Sequence, residues 1–151
     1  MPCGWIRRPG RAAALALARC LVDSKQPQPA REEAAESLAY VDTRETIEPV
    51  IAVLRDPDVR IRFWAVFALG GRGHQAARTV QALDAMLEDH EVPPGNWWSV
   101  GKEALAMLAG MQPSVADYGN RLAAERERIL SNPNATAEDR RWAYSYEYLT
   151  K

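Results

Sequence analysis

Few side chains in the sequence combine the residue type and the spacing that catalysis or metal binding requires. The chain has two histidines, His74 and His90, and two cysteines, Cys3 and Cys20. His90 precedes Glu91 in a predicted loop, and one such pair supplies too few ligands for a metal site. The cysteine spacing fits neither a metal motif nor a disulfide framework. Because the sequence also lacks a nucleophile elbow and a glycine-rich phosphate loop, we predict no metal, no cofactor and no catalytic residue.

The length and charge of the chain indicate a single small domain without a strong electrostatic field. The sequence has 151 residues and a formal net charge of −1 at pH 7, which argues against nucleic acid and anionic membranes as partners. Its apolar stretches are shorter than the roughly 18 residues of a membrane span. The first residues resemble a signal peptide, but Arg19 interrupts the apolar stretch. We interpret residues 1–10 as a flexible basic arm and expect a cytoplasmic protein.

The clearest local pattern lies in residues 54–71, LRDPDVRIRFWAVFALGG. The sequence Asp56-Pro57-Asp58 ends one helix and begins the next, since the residue before a proline avoids the helical region. Asp56 is the expected N-cap, with Pro57 in the first helical position. The next residues place small and aliphatic side chains on one helical stripe: Ile61, Ala65, Ala68 and Leu69. The small members of that stripe allow a second helix to approach closely.

This stretch resembles the second half of a HEAT repeat, of the short type found in bilin-lyase-like proteins. The positions that define the pattern are Leu54, Asp56, Pro57, Asp58, Ile61, Arg62, Ala65, Ala68, Leu69 and Gly70. Upstream, Arg31, Ala34 and Leu38 have the same residue types and the same spacing as Arg62, Ala65 and Leu69. Downstream, the offsets of Ala65, Ala68 and Leu69 are filled by Gly101, Ala104 and Leu105. Recurrence at the length of a helix pair is typical of repeat proteins. The resemblance implies an all-α fold, an α-α superhelix (a HEAT-like solenoid), over residues 11–111.

Periodicity and capping signals divide the chain into about three helix pairs and a C-terminal helical cap. The six helices of the repeats are predicted at residues 11–23, 30–41, 46–55, 57–70, 75–89 and 96–109. Ser114 begins a longer helix that ends near residue 130, and Thr136 with Asp139 forms a capping box for the last helix. A repeat array needs an end element that covers the apolar face of its last repeat. We assign that role to residues 112–151.

Arg31 and Arg62 occupy the position where HEAT proteins keep an arginine that faces the turn between helices. We expect these side chains to pair with the turns at Asp23 or Asp56 and with carbonyl groups at helix C-termini, which is a structural role. The equivalent residue of the third repeat is Trp98. The series of arginines should therefore end before the third repeat.

The second helices of HEAT-like solenoids line the concave face, so their outward residues are candidates for partner binding. Alignment of the three second helices gives one row of Glu32, Phe63 and Ser99 and another of Glu36, Phe67 and Glu103. We predict an aromatic strip of Phe63 and Phe67 that is flanked by Glu32, Glu36 and Glu103. Such a groove suits a peptide or helix with an apolar anchor and basic neighbours.

Two features of this surface leave alternatives open. Trp64 and the phenylalanines can instead pack sideways against a neighbouring second helix. Trp97 and Trp98 lie at the start of the second helix of the third repeat. They cannot both face inward, so one of them is a candidate exposed anchor. On the last helix Tyr144, Tyr146 and Tyr148 also cannot all face inward, which leaves a monomer and a homodimer both open.

The leading hypothesis is a non-catalytic adaptor that binds another protein through its concave face. The alternative, which the resemblance permits, is a bilin-lyase-like enzyme or accessory factor that holds a tetrapyrrole or another small molecule in the groove. HEAT-like alkylpurine DNA glycosylases carry an aspartate four residues after a tryptophan, whereas Gly101 follows Trp97 here. Nucleic-acid binding would require arginines to converge on one surface, and the sequence scatters them among acidic residues.

Overall fold

A computed structural model describes residues 10–41, 43–70, 76–96, 98–111 and 116–150 of the chain. The described residues form eight α-helices and contain no β-strand. The helices are α1 (Arg11–Val22), α2 (Gln28–Leu38), α3 (Ile47–Ala52), α4 (Val59–Gly70), α5 (Ala76–Asp84), α6 (Val100–Gly110), α7 (Ala116–Ser131) and α8 (Ala137–Ser145). Short 3-10 helices cover Arg44–Thr46, Val53–Arg55 and Glu147–Thr150. The predicted arm lies almost entirely outside the described residues.

The first six helices form three consecutive pairs that stack in two layers. α1 packs against α2, α3 against α4 and α5 against α6. The second helices α2, α4 and α6 lie side by side in the inner layer, whereas α3 and α5 of the outer layer touch over a small area. This arrangement confirms the predicted all-α, HEAT-like superhelix.

Small side chains at the helix contacts explain the close packing of the layers. Ala14 and Ala18 of α1, Ala34 and Ala35 of α2, and Ala65 and Ala68 of α4 are all buried. Larger aliphatic side chains fill the space between them: Leu21, Leu38, Val50, Ile61, Leu69 and Leu108. The alanine stripe read from the sequence is therefore the contact surface of the helix pairs.

The beginning of α4 differs from the expected one. The helix starts at Val59, where the Oδ1 atom of Asp58 accepts a hydrogen bond from the backbone N–H of Arg60 at 2.9 Å. Asp56, the predicted cap, instead accepts the N–H of Asp58 at 2.9 Å and pairs with Arg31 through its other oxygen. The capping role therefore moves to Asp58 because Asp56 belongs to the turn before the helix.

The first helices of the second and third pairs are shorter than predicted. Only Ile47–Ala52 of residues 46–55 is α-helical, and 3-10 turns flank it on both sides. α5 ends at Asp84, after which the N–H groups of Met86 and Leu87 bond to carbonyls three residues back. This tightening is common where a helix must end in a confined space.

α7 and α8 lie against the side of α6 that faces away from α4. Leu105, Ala106 and Ala109 of α6 are buried in a second apolar cluster. The C-terminal helices contribute Leu122, Ile129, Trp142, Ala143 and Tyr146 to it. The capping box of α8 is confirmed, since the N–H of Asp139 donates to Thr136 Oγ1 at 3.0 Å and the N–H of Thr136 donates to Asp139 Oδ2 at 3.2 Å. The predicted helix start at Ser114 lies outside the described residues.

Gly101 allows the turn after α5 to touch the first turn of α6. A Cβ atom at this position would lie 2.3 Å from the carbonyl oxygen of Leu87. We therefore expect Gly101→Ala to lower the free energy of unfolding by about 1–3 kcal/mol, since backbone must move to admit the methyl group. Urea unfolding followed by circular dichroism measures this change.

Gly119→Ala is the matched control, because Gly119 is also helical and a Cβ atom added there would meet nothing within 4 Å. This change should raise stability by about 0.5–1 kcal/mol through helix propensity alone. Equal effects of the two substitutions would contradict the close contact at Gly101.

Candidate functional site

Arg31 connects three elements through one buried guanidinium group. Its Nε donates to the carbonyl oxygen of Leu21 at the end of α1, at 2.9 Å. Its Nη2 pairs with the Asp56 carboxylate in the turn before α4, and both side chains are about nine-tenths buried. Arg31 therefore fastens the first repeat to the turn of the second, as the sequence suggested.

Arg62 makes the corresponding connection one repeat further on. Its Nε donates to Asp89 Oδ2 at 2.8 Å and its Nη1 donates to the carbonyl oxygen of Asp56 at 2.9 Å. Glu91 adds a third contact at 2.9 Å to Nη2. Burial lowers the pKa of Arg62, but the hydrogen bonds to Asp89 and Glu91 outweigh it and raise the pKa. We call the Arg31–Asp56 and Arg62–Asp89 pairs the arginine ladder.

Phe63 does not contribute to an exposed aromatic strip, and that part of the prediction is wrong. Its side chain is 6% exposed and lies in the main apolar core. The reason is its place in the fold, since α4 has second helices on both sides and little of its circumference is free. α4 is accordingly apolar nearly all round, as the sequence showed.

The prediction that Glu103 borders an exposed groove is also wrong, because its side chain is only 2% exposed. Its Oε2 atom accepts hydrogen bonds from Trp98 Nε1 and, at 2.9 Å, from the hydroxyl group of Tyr146. Burial raises the pKa of Glu103, and the two hydrogen bonds offset part of that rise. Trp98, half-buried, therefore supports a buried contact between α6 and the C-terminal segment. Trp97 lies outside the described residues.

Three aromatic side chains between α2 and α4 remain accessible. Phe67 and Trp64 are half-buried, and their ring centroids are 5.6 Å apart in an edge-to-face arrangement. Tyr40, which is 65% exposed, meets Phe67 edge to face at 6.4 Å. Trp64 packs sideways towards α2, the alternative that the sequence left open, and its Nε1 donates to Glu32 Oε1 at 3.2 Å.

Two carboxylates border these rings. Glu32 also accepts a hydrogen bond from Gln28 at 2.8 Å, which fixes its position, and Glu36 is exposed one helical turn further along. We call Glu32, Glu36, Tyr40, Trp64 and Phe67 the α2–α4 surface. Tyr40 was not among the residues predicted from the sequence, although residues 28, 32, 36 and 40 share one face of a helix at a spacing of four.

The described part of the chain contains neither a cluster of metal-ligating side chains nor a helix that could span a membrane. Within it, no three side chains of histidine, cysteine, aspartate or glutamate come together to hold a metal ion. His90 lies 3.6 Å from Glu88 in an exposed pair, and His74 is outside the described residues. None of the described helices is long and apolar enough to cross a membrane.

Two layers of paired helices, joined from repeat to repeat by an arginine ladder, define an α-α repeat protein. The family model of HEAT repeats matches residues 14–94, which is more than half of the chain. The protein therefore belongs to the HEAT-repeat family. Comparison with curated proteins found no match, and comparison with solved structures found none.

Proposed function

We propose that the protein is a non-catalytic adaptor that binds a segment of another protein on the α2–α4 surface. The observation that carries the proposal is the group of three accessible rings, Tyr40, Trp64 and Phe67, packed edge to face across two helices. Aromatic side chains are enriched at the centres of protein interfaces, because they bury much area while losing little conformational freedom. Membership of the HEAT-repeat family supports this reading, since such helical repeats often mediate protein interactions.

The charges around the rings favour a partner with basic groups beside an apolar anchor. Glu32 and Glu36 lie on the α2 side of the rings, and the contacts of Glu32 with Trp64 and Gln28 hold its carboxylate in place. A preorganised carboxylate loses less freedom on binding than a mobile one, so it contributes more to specificity. A partner segment with an apolar side chain packed against Phe67 and a lysine or arginine near Glu36 would match both the rings and the carboxylates of the surface.

Four further expectations accompany this proposal. We propose that the partner surface extends to the start of α6, where one of Trp97 and Trp98 is the predicted anchor. The cytoplasmic location and the choice between monomer and homodimer stay predictions from the sequence. Residues 112–151 are proposed to act as the cap of the array.

The proposal predicts that partner capture depends on the accessible rings. We expect a protein captured from lysate by the wild type to be lost by a Tyr40→Ala, Phe67→Ala double variant. Phe63 is left unchanged because it is a core residue, so its truncation would test stability rather than binding. Affinity capture with mass spectrometry, quantified against bait, measures the loss.

The matched control is a Tyr144→Ala, Tyr148→Ala double variant, whose rings are 61% and 67% exposed on the C-terminal segment. It removes the same kind of exposed aromatic area at another site. Both variants should melt close to the wild type by circular dichroism. Equal capture by all three proteins, or equal loss from both variants, would contradict the assignment of the site.

A further inference from the structure

A second groove lies at the other end of the array, between α6 and α7. It has a volume of about 520 Å³ and is open to solvent. Leu87, Leu105 and Ala124 supply its apolar lining, and Leu87 and Leu105 also belong to the cluster that joins α6 to the C-terminal helices. Leu105 of α6 and Leu87 of the turn after α5 both pack against the core, so core contacts hold the floor of the groove.

The rim of this groove is cationic. Lys102 of α6 and Arg121 and Arg128 of α7 line it from opposite sides. Lys102 already pairs with Asp139 at 2.6 Å, and Arg128 pairs with Glu125 through two contacts of 2.8 and 2.6 Å. Arg121 is exposed and forms no ion pair with another described residue. The three cationic side chains outnumber the two carboxylates that pair with them, Glu125 and Asp139, so the groove keeps a net positive charge.

The distance between the two arginines of α7 determines how far apart the matching charges of a partner must lie. Arg121 and Arg128 are two helical turns apart on one face, which corresponds to about 10 Å along the helix axis. Leu122 and Ile129, the residues directly after these arginines, are buried, so the arginine face lies about 100° around the helix from the core face and borders it. Two carboxylates placed seven residues apart on a partner helix have the same separation, and the residues between them would meet the apolar floor.

We infer that the α6–α7 groove is a second interaction surface, which takes an acidic amphipathic helix of a protein partner. The occupant follows from charge complementarity at the rim and from the apolar floor, against which the uncharged face of such a helix would pack. This inference is independent of the α2–α4 surface, whose carboxylates select the opposite charge. Together the two surfaces would let one chain bridge two partners of different chemistry.

The probe for this inference is a capped, fluorescently labelled helical peptide with glutamates seven positions apart and leucines between them. We expect the protein to bind it in anisotropy titrations, with affinity that falls as salt rises. A peptide with lysines in place of the glutamates should bind at least about tenfold more weakly, because like charges would then meet at the rim. Equal binding of both peptides would overturn the inference.

The protein variants locate the site. Arg121→Gln with Arg128→Gln should weaken binding of the acidic peptide by about tenfold or more, a loss of the size expected for two interface charges. The matched control neutralises two exposed arginines of the outer layer, Arg44→Gln with Arg55→Gln, and should leave affinity within about twofold. Loss of binding from both pairs alike, or from neither, would overturn the placement.

Three further outcomes separate this inference from its neighbours. The Tyr40→Ala, Phe67→Ala variant should bind the acidic peptide like the wild type, so failure of the α2–α4 proposal leaves this test intact. Inorganic phosphate that displaces the peptide at matched ionic strength would indicate a small-anion site and overturn the helix partner. Self-association of the protein that Arg121→Gln and Arg128→Gln abolish would likewise overturn it, in favour of a second copy of the chain.

Discussion

Arg31→Ala is expected to lower the free energy of unfolding by about 3–5 kcal/mol, the usual loss when one partner of a buried ion pair is removed. The substitution leaves the Asp56 carboxylate nine-tenths buried without its cation and removes the side-chain donor that reaches the carbonyl of Leu21. Asp56 also holds the N–H of Asp58 at the entrance of α4. Loss of Arg31 therefore weakens the contact between the first two repeats and the start of α4 together.

Urea unfolding at neutral pH measures this loss, and Arg78→Ala is its control. Arg78 forms an equally complete pair with Glu48, with two contacts of 2.9 Å, but the two side chains are 57% and 64% exposed. Exposed pairs contribute little because water and salt screen them, so the midpoint should hardly move. A similar small effect of Arg31→Ala would show that the arginine ladder does not stabilise the array.

The fold was predictable from the sequence because its signal is local and repeated. The stripe of Ala65, Ala68 and Leu69 recurs one repeat earlier at Ala34 and Leu38 and one repeat later at Ala104 and Leu105. Each copy specifies the same kind of helix contact. The arginines at fixed offsets added a second signal, and their carboxylate partners lie in the turns of the following repeat. Helix ends were less predictable, since the turn after α5 depends on its contact with Gly101.

The accessible surface was harder to predict because aligned positions have different neighbours in each repeat. Glu36, Phe67 and Glu103 occupy the same row, yet Glu36 is exposed, Phe67 is half-buried and Glu103 is buried. The difference arises from Tyr146, which reaches Glu103 from the C-terminal segment, whereas the described part of the chain places no such residue over Glu36. A helical wheel of one repeat contains no information about such a distant residue.

The buried carboxyl group of Glu103 leads to the second large prediction, which concerns pH. Burial raises the pKa of Glu103 above its ordinary range, so the folded protein holds a proton that the unfolded chain releases near pH ~4. The stability that depends on this proton is fully present below the unfolded pKa and is lost as pH rises through the folded pKa. Asp139 acts in the opposite sense, because the hydrogen bond from Lys102 lowers its pKa and its contribution is lost as pH falls.

Glu103→Gln isolates the contribution of Glu103. Both donors, Trp98 Nε1 and the Tyr146 hydroxyl group, bond to one oxygen, Oε2, so a glutamine carbonyl at that place can accept both. We expect the variant to gain stability relative to the wild type as pH rises above the unfolded pKa of glutamate, about 4.3. The measurement is the free energy of urea unfolding at a series of pH values, taken as a difference so that Asp139 cancels.

Two companion variants define the limits of this test. Glu103→Ala should be less stable than Glu103→Gln by about 2–4 kcal/mol at every pH, since it leaves a cavity and two buried donors without an acceptor. Glu36→Gln makes the same chemical change at the aligned, exposed position and should follow the wild-type curve throughout.

A Glu103→Gln curve parallel to the wild type across the whole range would mean that Glu103 keeps its ordinary titration in the folded protein. A curve that separates from the wild type with rising pH would show that ionisation of this one buried carboxyl group destabilises the folded protein.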